Sequence, residues 1–135
     1  MAATVLILDD SPTIRFITKV FLTGLGVEIK EASDGREGLA MIEAGGIDLV
    51  VSDLTMPGID GLEFVRRLRA SQDPRHNRIP VIILTMECAP GLRERLIAAG
   101  ANEYLTKPVS NTALRARVLS LLPPAPDPGP AAGGK

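Results

Sequence analysis

Five polar residues stand where short apolar runs end. Asp9 and Asp10 follow "TVLIL", Asp53 follows "IDLVVS", Thr85 closes "PVIILT" and Lys107 follows "NEYLT". Three carboxylates brought to one place repel each other, which raises their pKa values unless a cation sits among them. Mg2+ resolves that conflict, because it prefers octahedral oxygen ligands and commonly takes one or two carboxylates plus waters and phosphate oxygens. A lysine supplies a point charge for a phosphoryl group. A threonine hydroxyl donates to one of its oxygens, and an aspartate can itself be the nucleophile, giving an aspartyl-phosphate. This set suits phosphoryl transfer to a carboxylate, where catalysis is mainly positioning and charge neutralisation.

The residues meet only if the intervening elements carry them to one rim. Residues 4–8, 27–32, 47–52, 80–85 and 102–106 read as strands. The first, third and fourth are apolar almost throughout, as expected of parallel strands covered on both faces. Ser11-Pro12 offers an N-cap hydroxyl and a proline at the first helical position. A stripe of Ile14, Ile17, Phe21 and Leu25 follows, with Gly24 or Gly26 as the stop. Further helices fit 36–44, 62–71, 91–99 and 111–122, the third with Leu62, Val65 and Leu68 inward and Arg66, Arg67 and Arg69 in water. The last carries a stripe of Leu114, Val118 and Leu121. Alternating strands and helices predict an α/β domain of (βα)5 type, a doubly wound, five-stranded parallel sheet with helices on both faces. In such sheets ligands bind outside the carboxyl ends of the strands, where the five polar residues fall.

Composition narrows the function. The 135 residues predict one domain, 1–122, followed by a Pro/Gly-rich disordered tail at 123–135. Aromatic residues make up 3% and the net charge is -1, which argues against a nucleic-acid binder that needs stacking platforms or a basic face. The single cysteine, Cys88, forms no intramolecular disulfide. No apolar run approaches the roughly 20 residues that span a bilayer. A cytoplasmic location with no membrane contact is therefore expected.

With these residues in place, the chain resembles a response regulator receiver domain of bacterial two-component signalling, of the CheY-like, single-domain kind. The resemblance runs from Val5 to about Leu122 through "LILDDSP", "ASDGREGL", "DLTMPGIDG", "PVIILT" and "GANEYLTKPV". It implies a flavodoxin-like sheet of strand order 2-1-3-4-5. It implies Asp53 as phosphoacceptor, and Mg2+ held by Asp9, Asp10, Asp53 and the backbone carbonyl of Thr55. Thr85 and Lys107 would contact the phosphoryl group, Thr85 and Tyr104 would form the switch, and the Lys107–Pro108 bond would be cis. Thr55, Met86 and Glu87 would tune rates. Met86 departs from the small residue usual there and is expected to crowd the phosphoryl pocket, and Val109 is smaller than the Phe often seen.

The implied function is a phosphorylation-activated switch, not an enzyme turning over a separate substrate. A sensor histidine kinase or histidine phosphotransfer protein would supply the phosphoryl group. A downstream protein would read a surface built from residues 91–99, 102–106 and 111–122, the chain acting as a monomer or weak dimer. A stand-alone chemotaxis-type regulator, a phosphorelay intermediate and a receiver cut from a longer chain remain alternatives. An aspartate-nucleophile phosphatase needs a second Asp two residues after the nucleophile, and that position is Thr55. A flavin-binding module would want a Gly-rich or hydroxyl-rich loop where "DDSPT" stands. His76 and the arginines at 66, 67 and 69 read as solvated, and Cys88 as buried or idle.

Overall fold

The computed structural model describes residues 2–122; the tail expected at 123–135 lies outside them. Five parallel strands, β1 (Thr4–Leu8), β2 (Glu28–Ala32), β3 (Leu49–Asp53), β4 (Val81–Thr85) and β5 (Glu103–Thr106), form one sheet in the order β2-β1-β3-β4-β5. The helices are α1 (Pro12–Phe21), α2 (Gly35–Ala44), α3 (Gly61–Arg69), α4 (Pro74–Asn77), α5 (Leu92–Ala99) and α6 (Asn111–Leu121). The sheet order, the parallel pairing and the flavodoxin-like architecture agree with the sequence reading.

The two-residue period of a strand sorts the apolar runs into two cores. Leu6, Leu8, Val50, Val81 and Ile83 pack on one face against Ile42 of α2, Phe64, Val65 and Leu68 of α3, and Leu92 and Leu96 of α5. Val5, Ile7, Leu49, Val51, Ile82 and Leu84 pack on the other, against Leu22 at the end of α1 and Leu114 and Val118 of α6. Every residue of β1 and β4 is buried, as a sheet covered on both faces requires.

Several local expectations shift. β3 ends on Asp53 itself, so the carboxylate is the last rung of the strand and not the first residue after it. The stripe on α1 is displaced: Ile17 is 40% exposed while Thr18 and Leu22 are buried. The Thr18 hydroxyl donates to the Ile14 carbonyl at 2.9 Å, which removes the cost of burying it. The helix stops at Phe21, with Leu22 as its C-cap, before either glycine. In α3, Leu62 is half-buried and Phe64 is completely buried. Between the third expected helix and the fourth strand lies the single turn α4, started by Asp73 as cap and Pro74 at the first position.

Two arginine and histidine readings change with it. Arg69 is not a solvated residue. Its guanidinium donates to the carbonyls of Gly100 (3.0 Å), Asn77 (3.2 Å) and Ile79 (2.7 Å) and to Asn102 Oδ1 (2.9 Å). Burial lowers its pKa below the ordinary arginine value. His76 has a side chain only 15% exposed, 3.8 Å from the Asp73 carboxylate, because the helical turn folds it back toward α3. Arg66 and Arg67 do face solvent.

Candidate functional site

The site begins with two strand ends. β1 stops at Leu8 because Asp9 turns the chain into α1, whose cap Ser11 accepts from the Ile14 N–H at 3.2 Å. The Ser11 N–H in turn donates to Asp9 Oδ1 at 2.9 Å. β3, next to β1 in the sheet, delivers Asp53 to the same rim. One ligand atom from each of Asp9, Asp10 and Asp53 falls within 4.8 Å of the others. Asp9 is buried, Asp53 half-buried and Asp10 exposed.

Lys107, just beyond β5, reaches across to them. Its Nζ lies 3.0 Å from Asp53 Oδ1 and 3.6 Å from Asp9 Oδ2. Its backbone N–H donates to the Thr85 carbonyl at 2.7 Å, and the Lys107–Pro108 bond is cis. Burial pushes the Asp9 carboxyl above its ordinary pKa; the Ser11 N–H pulls it down, the Asp53 charge pushes it up, and Lys107 and Asp10 pull and push more weakly. A half-buried acidic cluster with a single ammonium among three carboxylates has spare negative charge, and hard oxygen donors facing one point suit a divalent cation. The donor set therefore fits Mg2+.

Thr85 is buried at the end of β4, and its Oγ1 accepts from the Glu87 N–H at 3.0 Å. The Glu87 carbonyl accepts from the Tyr104 hydroxyl at 2.7 Å. Thr85 and Tyr104 are thus linked through the two sides of one residue. The Thr55 hydroxyl donates to the Glu87 carboxylate at 3.4 Å, so the segment after β3 and the segment after β4 touch above the rim. Met86 does not pack into the site: it is 77% exposed. Cys88 is exposed as well, with its Sγ 3.8 Å from the Met86 carbonyl. The expectation that Met86 crowds the pocket fails, and of the two readings of Cys88, buried or idle, burial is ruled out, because residues 86–90 form an exposed loop.

Gly61 lets α3 begin against the rim. A Cβ there would meet the Asp53 carbonyl oxygen at 2.6 Å and Leu54 Cα at 2.9 Å, and its own N–H donates to the Leu54 carbonyl at 2.7 Å. Gly58, at φ +75°, makes the turn after Met56-Pro57. Two residues that the sequence reading did not place in the site also touch it, Ser11, read there only as a helix cap, and Arg15. Their signal was present only in position, at the start of a helix that begins directly after an acidic pair.

Known proteins match this geometry. Residues 5–119 match the model of the response regulator receiver domain family. The chain is 36% identical over 118 residues to chemotaxis protein CheY-3 of Vibrio cholerae, covering 84% of this chain and 87% of that protein. It is also 36% identical over 124 residues to the cyclic di-GMP phosphodiesterase response regulator RpfG of Xanthomonas campestris, covering 90% of this chain but 32% of that protein. The structure of Vibrio cholerae chemotaxis protein CheY4 superposes with a TM-score of 0.82 at 34% identity, covering 90% of this chain and 100% of the other. With five ordered strands, an acidic rim and a lysine reaching into it, the chain belongs to the response regulator receiver domain family of two-component signalling.

Proposed function

We propose that the chain is a phosphorylation-activated switch in which Asp53 accepts a phosphoryl group from a phosphohistidine on a sensor histidine kinase or histidine phosphotransfer protein. The observation that carries this is the Asp53 carboxylate at a strand end, 3.0 Å from the Lys107 ammonium and beside two further carboxylates. An Asp53 oxygen attacks phosphorus, the O–P bond forms, the N–P bond breaks and the donor imidazole leaves. Asp9, Asp10 and Asp53, with the Thr55 backbone carbonyl, would hold Mg2+, which supplies positive charge to the phosphoryl oxygens when bound. Lys107 moves from pairing with Asp53 to pairing with the phosphoryl group, which adds about -1.5 to -2 charge at pH 7.

The Thr85 hydroxyl donates to the new phosphoryl oxygens, and its bond from the Glu87 N–H weakens. Because Tyr104 is tied to the same Glu87, the shift reaches the surface of α5, β5 and α6, where a downstream protein binds. Thr55 and Glu87 flank the phosphoryl position and tune how fast water reaches it. Residues 1–122 act as the receiver, working in the cytoplasm in the manner of a CheY-like regulator. No described helix is long and apolar enough to cross a membrane.

The test is intact-mass analysis after incubation with acetyl phosphate and Mg2+. One phosphoryl adduct is expected on the wild-type chain, and none on Asp53→Asn or in EDTA. Equal labelling of Asp53→Asn overturns the assignment.

A further inference from the structure

Arg15 presses on the acidic pair although no step above uses it. It sits in the second turn of α1 with a side chain 16% exposed. Its Nη1 donates to the Asp9 carbonyl oxygen at 2.6 Å, and its Nε donates to Glu31 Oε1 on β2 at 3.1 Å. That carbonyl belongs to the planar peptide unit joining Asp9 to Asp10, so holding its oxygen fixes the plane from which Asp10 departs. The rest of Asp9 is held by other groups. Its N–H donates to the Ala32 carbonyl at 3.2 Å, and its Oδ1 accepts from the Ser11 N–H at 2.9 Å. Asp10 is exposed and its carboxylate has no hydrogen bond among the described residues. Its position therefore depends on the backbone, and Arg15 is the side chain that holds that backbone.

We propose that Arg15, oriented by Glu31, is a positioning residue that presents the Asp9 and Asp10 carboxylates to a divalent cation. The proposal rests on the reading of the acidic cluster as a Mg2+ site. Two effects of Arg15 have opposite signs, which makes the idea sharp. Its positive charge beside the cluster repels a cation, so by Coulomb's law alone removing it strengthens binding. As the support for two ligands, its removal weakens binding, and groups that orient metal ligands are typically worth about 10-fold to 100-fold in affinity. Arginine suits the role because its planar fork sends Nε and Nη1 in two fixed directions. A lysine keeps the charge but offers one nitrogen.

The experiment is calorimetric titration of Mg2+ into the wild type, Arg15→Gln, Arg15→Lys, Glu31→Gln and the Arg15→Gln/Glu31→Gln double variant, with melting curves in EDTA. Arg15→Gln is expected to weaken Mg2+ binding about 10-fold. Arg15→Lys is expected to weaken it as well, although the charge is kept. The loss caused by Glu31→Gln should vanish in the Arg15→Gln background, because Glu31 acts through Arg15. Unchanged or tighter binding by a cooperatively melting Arg15→Gln overturns the proposal. If that variant does not fold, Arg15→Lys decides, and wild-type affinity there overturns it equally. A wild-type chain that takes up no Mg2+ overturns the reading of the cluster itself, a different failure that the same titration separates.

Discussion

At Asp9 a buried carboxylate faces two others and one ammonium, and its pKa stands above the ordinary 3.8, chiefly through burial. Below the unfolded-state pKa the proton is bound in both states and Asp9 costs nothing. As pH rises through the raised folded-state pKa, the folded protein gives up that proton and loses stability. In EDTA, Asp9→Asn should therefore melt higher than the wild type at pH 7, with the gap closing as pH falls toward about 4. The Asn amide oxygen still accepts from the Ser11 N–H, so the cap network survives. Melting temperature against pH for both chains checks this, and a gap that widens on acidification refutes it. Asp9, Asp10, Asp53, Thr85 and Lys107 were legible in the sequence because each follows or ends an apolar strand. Arg15 and Arg69 were not, since a helical arginine reads as solvated until the neighbouring element is known.

Among the elements, α3 shows how closely the fold and the rim depend on each other. Its first residue, Gly61, lies against the Asp53 carbonyl, and its buried side, Phe64, Val65 and Leu68, packs on the face of the sheet that carries Val50. Gly61→Ala is expected to destabilise the protein by about 1–3 kcal/mol, as overpacking of a filled site does. It should also reduce labelling at Asp53, because backbone oxygen and Cα atoms are what must give way. Urea unfolding and the intact-mass assay measure the two effects, and a neutral result in both would show that α3 can slide from the rim. The start signal of α1 was readable from Ser11 and Pro12, whereas the displaced stripe on the same helix was not. Thr18 can be buried only because its hydroxyl bonds to the preceding turn, a choice that periodicity does not express.

Across the whole molecule the elements packed around the α3 and α5 face are tied at the end opposite the acidic rim by Arg69. One guanidinium holds the end of α3 to Asn77 after α4, to Ile79 before β4, to Gly100 after α5 and to Asn102 before β5. Replacing Arg69 with Met should cost about 1–3 kcal/mol, because several carbonyl acceptors lose a charged donor together. Urea denaturation is the check, and a loss below about 0.5 kcal/mol would mean that water replaces the guanidinium without penalty. The apolar runs, their alternation with helical segments and the polar residues at strand ends come from the sequence alone, since burial on both faces of a parallel strand demands a continuous apolar run. What only the tertiary structure decided is which polar side chains meet. Lys107 and Asp53 are 54 residues apart in the chain, Arg15 and Glu31 are 16 apart, and their contacts at 3.0 and 3.1 Å exist only because parallel strands bring distant ends to one rim.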